Sequence, residues 1–220
     1  VEILKGSDEA LFEPPAVSAD GRQLAVILKR DGKRRLHTLF ADGGNLQSLA
    51  APIDIEGSVC WSPDGKWIVA GGMDDRGPGL FKIPLDRGTP VRLLTGVGRD
   101  PEWSPSGDLI VYTGANVGVD APLSAIRPDG TTVEWPAIRL RVEGKRYRFV
   151  PDGQALVYAQ GVFPAQDFWL LDLATKKSRQ LSRFTNSAAT QSFDVTADGK
   201  QIVFDRLRQN SDIVLIDLPR

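Results

Sequence analysis

Only one cysteine, Cys60, and one histidine, His37, occur among the 220 residues, with a single methionine and three tyrosines. One cysteine closes no disulfide within the chain, so the fold is held without such staples, and the redox compartment stays open. A lone histidine rules out a multi-histidine metal site and makes any Ser-His-Asp arrangement depend on a residue inside a predicted strand. No apolar run approaches the ~18 residues of a membrane-spanning helix, and the N-terminus has neither the basic start nor the apolar stretch of a signal peptide. The chain opens at Val1 rather than methionine, as a mature or trimmed form would. Charge of one sign is missing too. Lys and Arg number 27 against 28 Asp and Glu, a formal −1, which removes any global attraction to nucleic acid or an acidic membrane. Helical periodicity is also missing, since no long segment keeps a helical apolar period without Gly or Pro, and this argues against an α/β fold.

What is present is a repeat. Five short turns recur: Val17-Ser18-Ala19-Asp20-Gly21, Trp61-Ser62-Pro63-Asp64-Gly65, Trp103-Ser104-Pro105-Ser106-Gly107, Phe149-Val150-Pro151-Asp152-Gly153 and Val195-Thr196-Ala197-Asp198-Gly199. Their glycines stand 44, 42, 46 and 46 residues apart, a period that belongs to four-stranded propeller blades. Asp-Gly tolerates the backbone angles of a tight hairpin, so each turn separates a first strand from a second. Second strands are expected at 23–28, 66–70, 109–112, 155–158 and 201–204, third strands at 36–40, 80–83, 123–126, 168–171 and 213–216, and outer strands at 46–49, 91–94, 131–135 and 178–181. The last unit lacks an outer strand while Val1 to Leu4 stands unassigned. Pairing the two closes an all-β, five-bladed propeller over a single domain, residues 1–220, and covers an open sheet edge. The alternative is a piece of a six- or seven-bladed ring.

Residues just before each first strand are expected to meet around the mouth of the central channel. Aligned on the turn glycine, these are Glu13, Gly57, Arg99, Lys145 and Gln191, then Pro14, Ser58, Asp100, Arg146 and Ser192. Polar residues that differ at a repeated position suit a binding surface. Loops between second and third strands add Lys29, Arg30, Asp31, Asp74, Asp75, Arg76, Arg206 and Arg208 on the same face. Arg99, Lys145, Arg146 and Arg148 with Tyr147 form the densest basic group, matched to a carboxylate, a phosphate or an acidic peptide. The turn aspartates lack the spaced carboxylates of a calcium loop and are read as capping their own hairpins. Cys60 and the five tryptophans are assigned to packing, Trp135 being the one least expected to be buried.

The stretch Trp61-Ser62-Pro63-Asp64-Gly65-Lys66-Trp67-Ile68-Val69 resembles the TolB-type propeller repeat, a relative of tryptophan-aspartate repeats, and the other four units match it with weaker turns. The resemblance covers essentially the whole chain. The same repeat occurs in periplasmic TolB proteins, in the non-catalytic propeller of prolyl oligopeptidase-like peptidases, and in sensor halves of bacterial kinases and regulators. The last unit, from Phe193 to Leu215, looks most like the kinase- and regulator-linked propellers. The chain departs from the pattern at Ser106, Ala19 and Ala197, and we expect no TolB-type N-terminal α/β domain within these 220 residues.

Together these features lead us to expect a non-enzymatic scaffold that binds a protein or peptide at its channel face, as a sensor or docking module of a bacterial signalling or envelope protein. We expect no cofactor, metal, nucleic acid or membrane insertion, and a monomer. The compartment is left open, an extracytoplasmic one being favoured. Two alternatives stand: a propeller lyase or hydrolase using Glu13, Asp100 and Tyr147 as acid-base groups, and a purely structural or engineered fragment.

Overall fold

The repeated turn is a small hydrogen-bonded knot. In the second copy the Ser62 amide donates to the Trp67 carbonyl at 2.8 Å and the Gly65 amide to the Ser62 carbonyl at 3.0 Å. The Ser62 hydroxyl donates to Asp64 Oδ1 at 2.5 Å and accepts from the Trp67 amide at 3.0 Å, while Asp64 Oδ1 also takes the Lys66 amide at 3.1 Å. Gly65 sits at φ 67°, which a side chain would strain. Ser18 with Asp20 and Thr196 with Asp198 repeat this web. Where the third copy has Ser106 in place of the aspartate, Asp108 substitutes, accepting from the Ser104 hydroxyl at 3.0 Å and from that of Ser106. These hydroxyl donors hold Asp20, Asp64, Asp108 and Asp198 below the usual carboxylate range. The turn aspartates therefore cap hairpins, as expected.

A computed structural model describes residues 10–11, 13–49, 52–141, 146–162, 165–184, 190 and 192–205, with the backbone alone at residues 10, 11 and 30. Within them lie five antiparallel sheets, met in chain order. The first holds β1 (Ala10–Leu11), β2 (Ala16–Val17), β3 (Gln23–Arg30), β4 (Lys33–Phe40) and β5 (Gln47–Ser48). The second runs β6 (Asp54–Trp61), β7 (Trp67–Asp74), β8 (Gly77–Pro84), β9 (Val91–Thr95), each paired with the next. In the third, β10 (Arg99–Trp103), β11 (Ile110–Thr113) and β12 (Asp120–Ile126) are followed by an outer strand in two pieces, β13 (Thr132–Val133) and β14 (Arg139–Arg141), both on β12. The fourth is β15 (Tyr147–Phe149), β16 (Ala155–Val162), β17 (Ala165–Asp172) and β18 (Ser178–Gln180), and the described part of the fifth is β19 (Phe193–Val195) with β20 (Ile202–Phe204).

The expected second, third and outer strands fall on these elements, with two differences. The third outer strand is not the single run 131–135: Trp135 and Pro136 interrupt it, proline having no amide to give the ladder, and pairing resumes at β14. The inner strand of the first sheet is likewise split, β1 and β2 both pairing with β3 on either side of Pro14-Pro15. Val1 to Leu4 and the expected strand at 213–216 lie outside the described residues.

Successive residues of each second strand feed different cores, as the two-residue period requires. Ile68 and Ala70 pack with Ala25, Ile27 and Leu36 of the first sheet, whereas Val69 packs with Ile110 and Tyr112 of the third. Val111 then joins Leu156 and Tyr158 of the fourth sheet, and Val157 and Ala159 join Phe193 of the fifth. The second, third and fourth sheets are thus buried on both faces, which is why their strands read as unbroken apolar runs. Tryptophans add bolts between sheets: the Trp61 indole donates to the Ala16 carbonyl at 2.9 Å. Trp135 is half-buried against the core between the third and fourth sheets.

Ser62 is buried at 2 % exposure and its hydroxyl serves two bonds, so Ser62→Ala should lower the unfolding free energy by about 1–2 kcal/mol at neutral pH. Because Asp64 is held low, that stabilisation exists above the ordinary carboxylate value and is lost as pH falls through the depressed one. Urea unfolding across pH checks both; an unchanged midpoint at neutral pH would contradict this role for the turn.

Candidate functional site

First strands bend where the repeat alignment placed its variable polar residues. Pairing of β6 with β7 shifts register between Glu56 and Val59, and pairing of β10 with β11 shifts between Arg99 and Glu102. Gly57 at φ 74° and Asp100 at φ 52° occupy these two bulges. Gly57 has a second reason to be glycine: a Cβ there would lie 2.8 Å from Asp100 Oδ1. That oxygen accepts from the Ser58 amide at 2.8 Å and the Ser58 hydroxyl at 3.0 Å, tying the second sheet to the third. These positions thus lie within the inner strand rather than before it, and bulges are a common means of re-aiming side chains next to a site.

The inner strands enclose a cavity of about 790 Å³ lined by residues of all five sheets. At one end stand Glu13, Pro14, Ser58, Asp100 and Ser192; deeper come Cys60, Glu102, Arg148 and Asp194. Arg148 spans three sheets, with Nη1 4.0 Å from Glu102 Oε2 and Nε 3.4 Å from Asp194 Oδ1. Among the described residues, the carboxylates of Glu13, Asp100, Glu102 and Asp194 and the guanidinium of Arg148 thus line the cavity. Glu13 makes no hydrogen bond or ion pair among the described residues. Burial, with Asp100 adding to it, raises its carboxyl above the ordinary value, Arg34 opposing.

The expected basic cluster is not an open patch. Arg99 is held by Glu56 at 2.9 and 3.1 Å, and Arg34 reaches Glu56 at 3.6 Å and Asp54 at 3.3 Å, so a charge ladder crosses the first three sheets. Arg146, read from the sequence as a surface cation, is 4 % exposed and donates to the Thr190 carbonyl. Tyr147, read as a surface or acid-base group, is fully buried and donates its hydroxyl to the Asp100 carbonyl. Burial first, then Asp100 and Glu102, pushes its phenol well above the ordinary value. The reason is the pleat: Tyr147 shares its place in the repeat with Val59, Pro101 and Phe193, all facing the core, while the next residue, Arg148, faces the channel.

Asp75 is exposed at the β7–β8 hairpin tip, and Arg30 lies at the end of β3. Lys145, Gln191 and Arg206 lie outside the described residues. Glu102 and Asp194 were missed. The signal that could have found them is the column five residues before each turn glycine, namely Ala16, Cys60, Glu102, Arg148 and Asp194, which varies like the mouth positions. Among the described residues no group of three His, Cys, Asp or Glu side chains is placed to hold a metal ion.

Because Glu13 is held above its ordinary value, its ionisation opposes folding. The penalty is absent in acid, where the carboxyl is protonated in both states, and grows as pH rises from the ordinary value through the raised one. Glu13→Gln should therefore raise Tm by about 1–2 °C at neutral pH and leave it unchanged in acid; differential scanning fluorimetry in which the variant melts lower at neutral pH would contradict this.

No family model matches the chain. It is 27 % identical over 163 residues to a protein TolB homolog of Chlorobium luteolum, covering 74 % of this chain and 37 % of that protein. Over 123 residues it is 32 % identical to an uncharacterized protein of Agrobacterium fabrum, covering 54 % and 41 %. A Tol-Pal system protein TolB of Desulfosudis oleivorans is 29 % identical over 113 residues, covering 50 % and 25 %. The match thus spans less than half the length of each of these relatives. Among solved structures, TolB from Acinetobacter baumannii aligns with TM-score 0.64 at 15 % identity over 94 % of this chain and 56 % of that one. An oligogalacturonate lyase in complex with manganese aligns with TM-score 0.66 at 19 % identity over 92 % and 60 %; at such identities the likeness is one of fold. With relatives named TolB in sequence and TolB propellers in structure, the chain has a TolB-like β-propeller fold.

Proposed function

We propose that this chain is a non-enzymatic propeller scaffold whose channel takes a protein or peptide, as a docking module of a larger bacterial envelope or signalling protein. The observation that carries this reading is the cavity: one space of about 790 Å³, whose lining combines apolar side chains with polar residues, at least one from each of the five sheets, that differ from blade to blade on a backbone that repeats. Hydrogen bonds between sheets hold that lining in place before any partner arrives, which lowers the ordering cost of binding. A relative named for the Tol-Pal system supports a protein partner.

The same reading includes a closed five-bladed ring. It is supported by Ser192 and Asp194 of the last unit lining the same cavity as Glu13 and Pro14 of the first, and by burial of Val26, Leu28 and Leu39 on the face of the first sheet turned away from the second. Deleting residues 1–6 should then lower Tm sharply and drive the monomer to aggregate, as read by light scattering; an unaffected monomer would favour a piece of a larger ring.

Binding is tested by selecting a random-peptide display library on the protein and counter-screening on Pro14→Trp and Asp194→Trp, which fill the channel from exposed lining positions. Peptides that lose binding to both folded variants support the channel as the binding site; selection that yields no such peptide overturns it. The enzyme alternative keeps Glu13 and Asp100 but loses Tyr147 as an acid-base group, because its hydroxyl is buried on the Asp100 carbonyl. A small-molecule thermal-shift hit abolished by Glu13→Gln would favour that alternative.

A further inference from the structure

We propose that the mouth of the channel is a two-part docking surface for a protein segment carrying a lysine or arginine between apolar side chains; this rests on the channel-binding reading above and names its partner's chemistry. The first part is a rim of exposed apolar residues. Met73, Val117, Val119 and Val162 are 47, 56, 57 and 84 % exposed, and all belong to the hairpins or loops joining second and third strands. Register puts these on the mouth side. Asp54 and Arg99, at the mouth ends of β6 and β10, pair with Met73 and Thr113, after which the chain continues into the hairpins. Tyr147 pairs with Tyr158, and Val162 follows four residues further along β16. Three neighbouring blades therefore raise apolar tips beside one opening.

The tip bearing Met73 is also braced. Arg92 stacks 4.7 Å over the Phe81 ring, pairs with Asp74, and donates to the carbonyls of Pro78 at 2.8 Å and Gly77 at 3.1 Å. A Cβ at Gly79 would stand 2.5 Å from that guanidinium, so glycine leaves it room. Exposed apolar side chains on a braced hairpin gain most by being covered by a partner.

The second part fixes the partner's charge. Among the described residues inside the rim, the lining holds the carboxylates Glu13, Asp100, Glu102 and Asp194 together with Arg148, while the nearby Arg34 and Arg99 are already engaged by Asp54 and Glu56. Glu13, half-buried and without an ion pair among the described residues, gains a counter-charge from an entering ammonium or guanidinium. A carboxylate or phosphate in the same place meets like charge. The geometry therefore favours a basic side chain at the centre and apolar neighbours at the rim, and it disfavours the acidic peptide expected from sequence.

The peptides recovered by display supply the probe. Fluorescein-labelled, channel-dependent peptides should be enriched in Lys or Arg beside apolar residues and should bind more weakly as salt rises. By anisotropy they should lose about three- to tenfold in affinity on Glu13→Gln and again on combined Val117→Ser, Val119→Ser and Val162→Ser, at exposed sites where folding is little affected. Replacing the peptide's basic residue with glutamate should abolish binding. Channel-dependent peptides that lack basic residues, or that bind both variants as tightly as the original protein, would overturn this inference while leaving the binding reading standing. Failure to recover any channel-dependent peptide would overturn both.

Discussion

The second, third and fourth sheets of this protein are apolar on two faces, and neither face can be left to water. Ile68 and Ala70 look one way and Val69 the other; Ile110 and Tyr112 are set against Val111, and Leu156 and Tyr158 against Val157. A sheet buried on both sides needs a neighbour on each, and a twisted sheet whose neighbours are copies of itself is led around an axis. The same demand brings the inner strands together around one cavity. The site follows from packing of the blades; no single element builds it.

The contacts that hold neighbouring sheets also shape the lining. Tyr147 reaches from the fourth sheet to the carbonyl of Asp100 in the third, while the Asp100 carboxylate reaches back to Ser58 in the second. Arg148 lies between Glu102 and Asp194, one sheet on either side. At 4.0 and 3.4 Å, and partly open to solvent, these ion pairs contribute little to stability. Their consequence is placement, since each polar group at the mouth is oriented by a residue of the next blade. This is how a repeated backbone presents an unrepeated surface.

Much of this was legible in the repeat. The Asp-Gly turns, the apolar runs after them and the spacing of their glycines located the strands, because hairpin chemistry and the two-residue pleat are local. The bulges were not legible. Asp100 at a positive φ is stable here because its carboxylate accepts from the Ser58 amide and hydroxyl, a contact made across 42 residues of sequence, and Gly57 leaves room for it. Without the bulge, the mouth positions read as a loop, and Tyr147 and Arg146 seemed to stand beside Arg99 on one rim. The pleat and the contacts between blades separate them, turning Tyr147 into the core and seating Arg146 on Thr190.

By itself the sequence determined the blade unit: its turns, its strands and the alternation that sends neighbouring side chains into different cores. All of these depend on interactions within a few residues or on burial patterns with a fixed period. Only the tertiary structure decided which charges face one another among the described residues of the site. A row of Arg and Lys in the chain reads as basic, yet Arg34 and Arg99 are drawn on to Asp54 and Glu56 of a neighbouring sheet while Glu13, Asp100, Glu102 and Asp194 are gathered around one space. Charge is counted along the chain, but the field that a ligand meets depends on which charges face each other across distant segments, and packing of the blades sets those distances.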